Sequence, residues 1–459
     1  MKINSDDTIV AISTLVGEAG IGIVRLSGPD AIIIASKIFK PIAKKPVKEL
    51  PSFSVNLGKV IDNKNFVDEV LLTIMKSPKS YTREDVVEIS CHGGIVPLRK
   101  TLELCTKNGA RLADPGEFTK RAYLNGRIDL SQAEAVCDII KAKTDLALSC
   151  AVSQLNGSLT RIVDKQKNII TDILAAIEVA IDYTEEDVPD IDKFDIIKKI
   201  NGIEKELEKI LLTFQTGKIF KEGIRTAIVG KPNVGKSSLL NILIGQDRAI
   251  VTEIPGTTRD VIEEMINIFG IPLILMDTAG IRKHSYDAVE KIGIERARNE
   301  LKNADLVIFV LDSSNELSAE DFHIAELLSS KKVILVLNKS DLTRKLKDIS
   351  SLRIFDSSVF VSAKKNTGIE ELKKAIYDLF IQGDTNTSNF FLTNMRHKIL
   401  IENTINSLKN VKASCENNIS EEFIALDLRA ALNSLGEITG EIPTEEILNR
   451  IFSNFCVGK

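Results

Sequence analysis

Little in this chain points to a secreted, membrane-embedded or metal-stapled protein. Its 459 residues hold only six cysteines (Cys91, Cys105, Cys137, Cys150, Cys415 and Cys456), scattered and without a CxxC pair. That spacing offers neither a disulfide framework nor a zinc site and suits free thiols in a reducing compartment. No apolar run is long enough to cross a bilayer, and Met1–Asp7 lacks the basic and apolar regions of a signal peptide. A cytoplasmic protein without a membrane partner is expected. An excess of one charge is lacking too, since 60 Lys plus Arg stand against 64 Asp plus Glu, a net of −4. No global field draws the chain to nucleic acid, so such a contact would need a local basic patch.

What is present is an ordinary globular composition, 44% hydrophobic and 27% charged, at a length that calls for two or three domains. Strand-like runs at Thr8–Ser13, Gly22–Leu26, Val67–Met75 and Val86–Ile89 are broken by Gly and Pro turns. Apolar residues then repeat at three and four from Ser131 to about Tyr183. An acidic break containing Pro189 precedes another helical stretch ending near Thr216. From Arg225 short buried runs alternate with helices: Thr226–Val229, Leu273–Met276, Leu306–Leu311, Val333–Leu337 and Val359–Val361. That alternation predicts a mostly parallel sheet with helices on both faces. After a polar linker, helical periodicity returns from Leu392 to about Phe455. The expected fold is α/β plus all-α. An N-terminal α+β domain takes 1–120, a helical domain takes 121–222 and 383–459, and an α/β domain at 223–382 is inserted between those segments.

The chemistry is concentrated in the insert. Gly230-Lys231-Pro232-Asn233-Val234-Gly235-Lys236-Ser237 fits GxxxxGK[ST], follows a strand and opens a helix with Ser238. The backbone N–H groups of such a loop cradle phosphates, Lys236 reaches the outer ones, and the Ser237 hydroxyl suits Mg²⁺. Asp277-Thr278-Ala279-Gly280 also follows a strand; its acid can hold the Mg²⁺ shell and its Gly280 N–H can sense the γ-phosphate. In Asn338-Lys339-Ser340-Asp341 the Asp341 carboxylate can accept from the N1–H and 2-amino groups of guanine, which adenine cannot match. Ser362-Ala363-Lys364 completes the base pocket. These four elements fall in order at successive strand C-termini, where open α/β sheets bind ligands, and together they specify a P-loop GTPase that takes GTP and GDP. Thr258, in Gly256-Thr257-Thr258-Arg259-Asp260, suits the Mg²⁺ shell once its loop orders. Ile281 stands where some GTPases carry a water-orienting Gln, and no arginine finger is identifiable. From the residues alone, Glu290 is as well read as a solvated helix charge as a replacement for that Gln.

Outside the insert, Gly20–Gly28, Cys91-His92-Gly93-Gly94, Asp114–Thr119, Leu124–Leu130 and the terminal Arg450–Lys459 carry a further pattern. With Gly256–Asp260 these segments make the chain closely similar to the MnmE (TrmE) family of tRNA-modification GTPases over essentially its whole length. The resemblance implies an N-terminal folate-binding and dimerisation domain, a discontinuous helical domain and an inserted Ras-like G domain. It implies a homodimer acting on tRNA with an FAD-dependent partner, MnmG, to place an aminomethyl-type group on C5 of the wobble uridine. The one-carbon donor would be a tetrahydrofolate derivative, in its 5-formyl or 5,10-methylene form. Folate contacts fall on Arg25, Glu88, Arg127 and Lys459; Arg127 replaces the lysine of the family pattern, and a guanidinium fork is not a point charge. The family activates hydrolysis by pairing G domains around K⁺, whose holders fall on Asn233, Thr252, Ile254 and Thr257, and its catalytic carboxylate falls on Glu290. Thr252 and Thr257 also count among the nucleotide contacts.

Cys456 reads by default as a buried structural thiol, whereas the resemblance places it near the folate with a catalytic role. The Gly and Lys that follow argue against a prenylation box. His92 beside Cys91 makes a poor chelate and reads as turn structure. A rival function, a regulatory GTPase switch in ribosome assembly, would use the same G-domain motifs but leaves Arg25, Cys91–Gly94 and the Cys456–Lys459 tail without a role.

Overall fold

The computed structural model describes residues 7–182, 192–247, 264–276, 301–346, 349–352, 355–381, 390–441 and 443–459. The chain divides into two compact units. One comprises Met1–Cys137, Leu155–Ala175 and Leu428–Lys459; the other comprises Asp138–Gln154 and Ala176–Asp427.

The first unit is built on a seven-stranded sheet of β1 (Ile9–Ile12), β2 (Gly22–Ser27), β3 (Phe39–Pro41), β4 (Ser54–Asp62), β5 (Asn65–Met75), β6 (Val86–Cys91) and β7 (Arg111–Leu112). Its order is β3-β4-β5-β6-β2-β1-β7, with only β1 and β7 parallel. Helices Ala31–Ile38 and Ile95–Lys107 bury Ile34, Ile38, Leu98 and Leu104 in one core with Val24, Leu26, Leu72 and Ile89. The strand β4 escapes a reading that looks for apolar residues on a buried face. Its alternation is present but reversed, with Val55 and Leu57 exposed and Ser54 and Asn56 half-buried.

An ion network includes Arg111 of β7, the strand at one edge of this sheet. Arg121, only 2% exposed, meets Asp7 at 2.5 Å, Glu117 at 3.1 Å and Glu84 at 3.2 Å, and Arg111 meets Asp7 at 2.7 Å and Glu117 at 2.5 Å. Burial by itself would raise the Asp7 and Glu117 carboxyls, but hydrogen bonds and charge from the two arginines outweigh it and hold both below the usual range. A depressed carboxyl stabilises the fold above its unfolded pKa and loses that contribution as pH falls through the folded value. The melting temperature should therefore drop as pH goes below about 4. Glu117→Gln should melt lower at neutral pH and show a shallower acid fall; parallel pH profiles for the two proteins would remove the network from the account.

The second unit carries β8 (Ile224–Val229), β9 (Glu264–Ile268), β10 (Ile271–Leu275), β11 (Leu306–Asp312), β12 (Lys332–Asn338) and β13 (Ser357–Phe360) in the order β13-β12-β11-β8-β10-β9. All neighbours are parallel except β9 and β10. The apolar runs of β11 and β12 are buried on both faces, as a covered parallel sheet requires. Strand β9 has no counterpart in the sequence reading, although Phe269-Gly270, both with positive φ, marks a two-residue hairpin turn.

The long helical runs are subdivided. The run from Ser131 is three helices, Leu130–Lys141, Asp145–Leu155 and Ser158–Asp182, interrupted at Thr144, whose hydroxyl accepts the Ala147 N–H, and at Gly157. The stretch expected to end near Thr216 continues through Phe214–Glu222, and the last run is three helices, Met395–Glu416, Glu421–Thr439 and Glu445–Phe452. Among the described residues no helix is long and apolar enough to cross a membrane.

Candidate functional site

In the second unit the loop from Gly230 to Gly235 leaves the C-terminal end of β8 and runs into helix Lys236–Asp247. Asn233 adopts φ +65°, and at Gly235 (φ +99°) an added Cβ would stand 2.2 Å from the Asn338 amide nitrogen. Only glycine lets β12 approach the loop this closely. Asn338 is 1% exposed and bonds in two directions, Nδ2 donating to the Val234 carbonyl at 2.7 Å and Oδ1 accepting the Ala363 N–H at 3.0 Å. One side chain thus ties the phosphate loop to both base loops.

Lys236 points its ammonium back along the loop, donating to the carbonyls of Gly230 at 2.6 Å and Lys231 at 2.7 Å. Burial pushes its pKa below that of an ordinary lysine. Ser237, half-buried in the first helical turn, and the exposed Ser238 follow it. Asp341 accepts from the Ser362 hydroxyl at 2.6 Å, and that bond holds its carboxyl below the usual range. Lys339, at φ +61°, reaches back to Asp312 at 2.7 Å. Burial alone would raise Asp312, but hydrogen bonds from Lys339 and Ser314 keep it low. Lys364 lies in the turn after Ala363, closed by Ser362 and Thr367 bonded in both directions.

Asn233, Val234, Gly235, Lys236, Ser237, Asn338, Lys339, Asp341, Ser362 and Ala363 thus lie at the C-terminal ends of β8, β12 and β13. Thr252, Ile254, Thr257, Thr258, Asp277, Thr278, Ala279, Gly280 and Glu290 lie outside the described residues. Two supporting groups escaped the sequence reading. Asp312 is the register partner of Asn338 at the end of a neighbouring strand, a signal legible from strand ends. Asp321 meets Lys231 at 2.6 Å, and Ser318-x-x-Asp321 is a capping-box pattern.

A second cluster lies in the first unit. Arg25 on β2 pairs with its register partner Glu88 on β6, Nε to Oε1 at 2.8 Å, and its Nη1 donates to the Gly458 carbonyl at 3.1 Å. The Arg25 guanidinium is 5.9 Å from the Tyr81 ring centre and 5.7 Å from that of Phe118, while Arg127 is 4.7 Å from Tyr81. Neither aromatic stands out in the sequence; an aromatic carries no motif, and only folding puts Tyr81 near two arginines. Gly458 (φ +92°) leaves no room for a Cβ, which would meet the Ile12 carbonyl at 2.6 Å. The structure therefore brings together Arg25, Glu88, Arg127 and the tail that ends in half-buried Lys459.

Cys456 is exposed, which corrects the default reading of a buried thiol; burial goes instead to Phe455 before it and to Gly458 two residues after it. His92 accords with turn structure, since Asp68 accepts its main-chain N–H at 2.9 Å and contacts Nδ1 at 2.7 Å. Among the described residues no group of three or more His, Cys, Asp or Glu could hold a metal.

Two family models match the chain: "GTP-binding protein TrmE N-terminus" over residues 8–127 and "MnmE helical domain" over 130–456. Proteins named tRNA modification GTPase MnmE are similar to it end to end. The one from Thermoanaerobacter pseudethanolicus is 50% identical over 99% of both chains, and that from Desulforamulus reducens 47% identical over 99% of this chain and 100% of its own. The chain belongs to the MnmE family. As a member it is a GTPase, and tRNA modification is what its relatives are named for. A solved G domain, that of the T. maritima FeoB iron transporter, is 33% identical over 34% of this chain and 97% of its own, at a TM-score of 0.26.

Proposed function

We propose that this MnmE-family GTPase works in the cytoplasm, hydrolyses GTP at the β8–β12–β13 loops, and uses that cycle to drive modification of C5 of a tRNA wobble uridine. The observation that carries the nucleotide reading is the bridging of the phosphate loop and both base loops by Asn338. Asn233, Val234, Gly235, Lys236, Ser237 and Ser238 would surround the phosphates, with Thr252, Thr257, Thr258, Asp277, Thr278, Ala279 and Gly280. Asn338, Lys339, Asp341, Ser362, Ala363 and Lys364 would surround the base. Ser237 in the first helical turn fits an Mg²⁺ ligand, with Thr258 as its proposed companion, and the ion would neutralise phosphate charge.

The second reaction centre is proposed around Arg25, Glu88, Arg127 and Lys459. Two guanidinium groups, a carboxylate and the Tyr81 ring suit a flat, hydrogen-bonding ring system with an anionic tail, as in a tetrahydrofolate derivative. That group would supply the one-carbon unit. Arg25 and Arg127 would orient it, and Cys456, which is exposed, would take part as a thiol. The remaining chemistry belongs to an FAD-dependent partner, MnmG, and the working unit is a homodimer. Domain limits of 1–120, 121–222 with 383–459, and 223–382 are proposed accordingly.

Hydrolysis is proposed to need K⁺, held by the Asn233 amide oxygen with Thr252, Ile254 and Thr257, an all-oxygen set suited to a hard cation. Glu290 would orient the attacking water, since Ile281 cannot. Steady-state phosphate release should rise in KCl over NaCl at equal ionic strength and with protein concentration, as pairing of G domains requires. Asn233→Ala should lose most of the rise, and Glu290→Ala should keep nucleotide affinity while losing turnover. Equal rates in both salts would refute the K⁺ site, and normal turnover in Glu290→Ala would return that residue to a solvated charge.

A further inference from the structure

The phosphate loop and the neighbouring helix Ala319–Leu327 do not close fully on each other. A cavity of about 300 Å³ opens there, lined in part by Lys231, Asn233, Asp312, Glu316, Asp321 and Lys339. One tie crosses from the loop to the neighbouring helix Ala319–Leu327. The Lys231 ammonium meets Asp321 Oδ2 at 2.6 Å and the Ser318 hydroxyl at 2.8 Å. The same Oδ2 accepts the Ser318 N–H and hydroxyl, both at 2.9 Å, so the acceptor is built into the helix cap. Asp321 is 1% exposed, and its other oxygen, Oδ1, has no hydrogen-bond partner among the described residues. Ser318 gives this buried carboxylate neutral donors and Lys231 gives it compensating charge, so Lys231 cannot leave without cost.

The same residue holds the catalytic lysine from its other end. The Lys231 carbonyl is one of the two that receive the Lys236 ammonium, the second being that of Gly230. Fixing the Lys231 side chain fixes its peptide, and its peptide fixes where Lys236 waits for phosphate. We infer that Asp321 is a positioning residue for GTP hydrolysis, acting through Lys231 to pre-place the Lys236 ammonium against the outer phosphates of the nucleotide. The inference rests on the GTPase activity alone and holds whatever the tRNA chemistry or the monovalent cation proves to be. It makes three demands. Loss should depend on the number of phosphates, since Lys236 serves the outer ones. Lys231 and Asp321 should act as one unit. A cation with the same reach should restore function.

The test uses the full-length protein with GTP, GDP and GMP in calorimetric binding, alongside GTP turnover, for Lys231→Met, Asp321→Asn, the double variant and Lys231→Arg. Expected is a loss of about 10-fold in GTP and GDP affinity in either single variant, with the double no worse than the poorer single. GMP affinity should stay within about 2-fold of wild type, and Lys231→Arg should retain most of the GTP affinity and turnover. Wild-type GTP binding in both single variants would overturn the inference. So would losses that add in the double, or equal losses for GTP and GMP, which describe general loosening of the loop. Should Asp321→Asn fail to fold, Lys231→Met and Lys231→Arg decide it by the contrast of GTP and GDP with GMP, which a general loosening of the fold would not produce.

Discussion

Asp341→Asn is expected to move this GTPase from GTP toward xanthosine triphosphate. The carboxylate is oriented by the Ser362 hydroxyl at 2.6 Å, and that bond holds it below the usual carboxyl range. An ionised Asp341 can only accept, which matches the two donors on the guanine edge. An amide in its place can still accept from Ser362, so the loop should keep its shape. Its NH₂ would then face the guanine donors and repel them, while pairing with the 2-oxo group of xanthine. Two charge-assisted hydrogen bonds are at stake, so GTP affinity should fall by roughly 10²–10⁴-fold. Competition binding with both triphosphates reads the outcome, and an undiminished preference for GTP in the mutant would dismiss Asp341 as the base-selecting group.

The second large effect is expected at the other reaction centre. Deleting Cys456–Lys459 should abolish tRNA modification, read by nucleoside analysis of tRNA from cells carrying the truncated gene. GTP hydrolysis should stay within about 2-fold of wild type, because the tail belongs to the first unit and the nucleotide loops to the second. The structural grounds are specific. The Gly458 carbonyl takes one arm of Arg25, Glu88 takes another, and the Cys456 carbonyl accepts the Gly116 N–H at 3.4 Å. Phe455 beneath them belongs to the core with Ala122, Leu130 and Phe452 and remains in the truncated chain. Equal loss of both activities would mean the tail supports the fold and nothing more. Titration with 5-formyltetrahydrofolate separates the remaining cases: no binding by the truncated protein supports a ligand contact, and wild-type affinity removes the tail from the folate site.

How far the sequence could be read varies with how local the chemistry is. The phosphate loop and the Asn338–Asp341 loop were legible because each needs fixed residue types at fixed spacing beside a strand end. What Asn338 does was not, since its partners Val234 and Ala363 come from two other loops. Pairs such as Lys231–Asp321 and the approach of Arg25 and Arg127 to Tyr81 exist only after folding. Strand β4 shows no buried apolar face because Val55 and Leu57 are exposed, and in β9 Glu264 and Asn267 interrupt the continuous apolar run that marks its neighbour β10. The helical run from Ser131 looked continuous because a threonine cap and a single glycine interrupt it without disturbing its spacing.

The bridging amide of Asn338 has a practical consequence for anyone rebuilding this pocket. Its two ends reach separate motifs, so neither motif is a module that can be swapped by itself. A chimera that imports the base-reading loop from another GTPase brings an asparagine tuned to a foreign phosphate loop. The graft would alter phosphate affinity even with every phosphate-contacting residue left native. Libraries for altered base preference in this enzyme should therefore vary positions 338 to 341 and the loop at Val234 together, and screen with nucleosides as well as triphosphates to tell the two contributions apart.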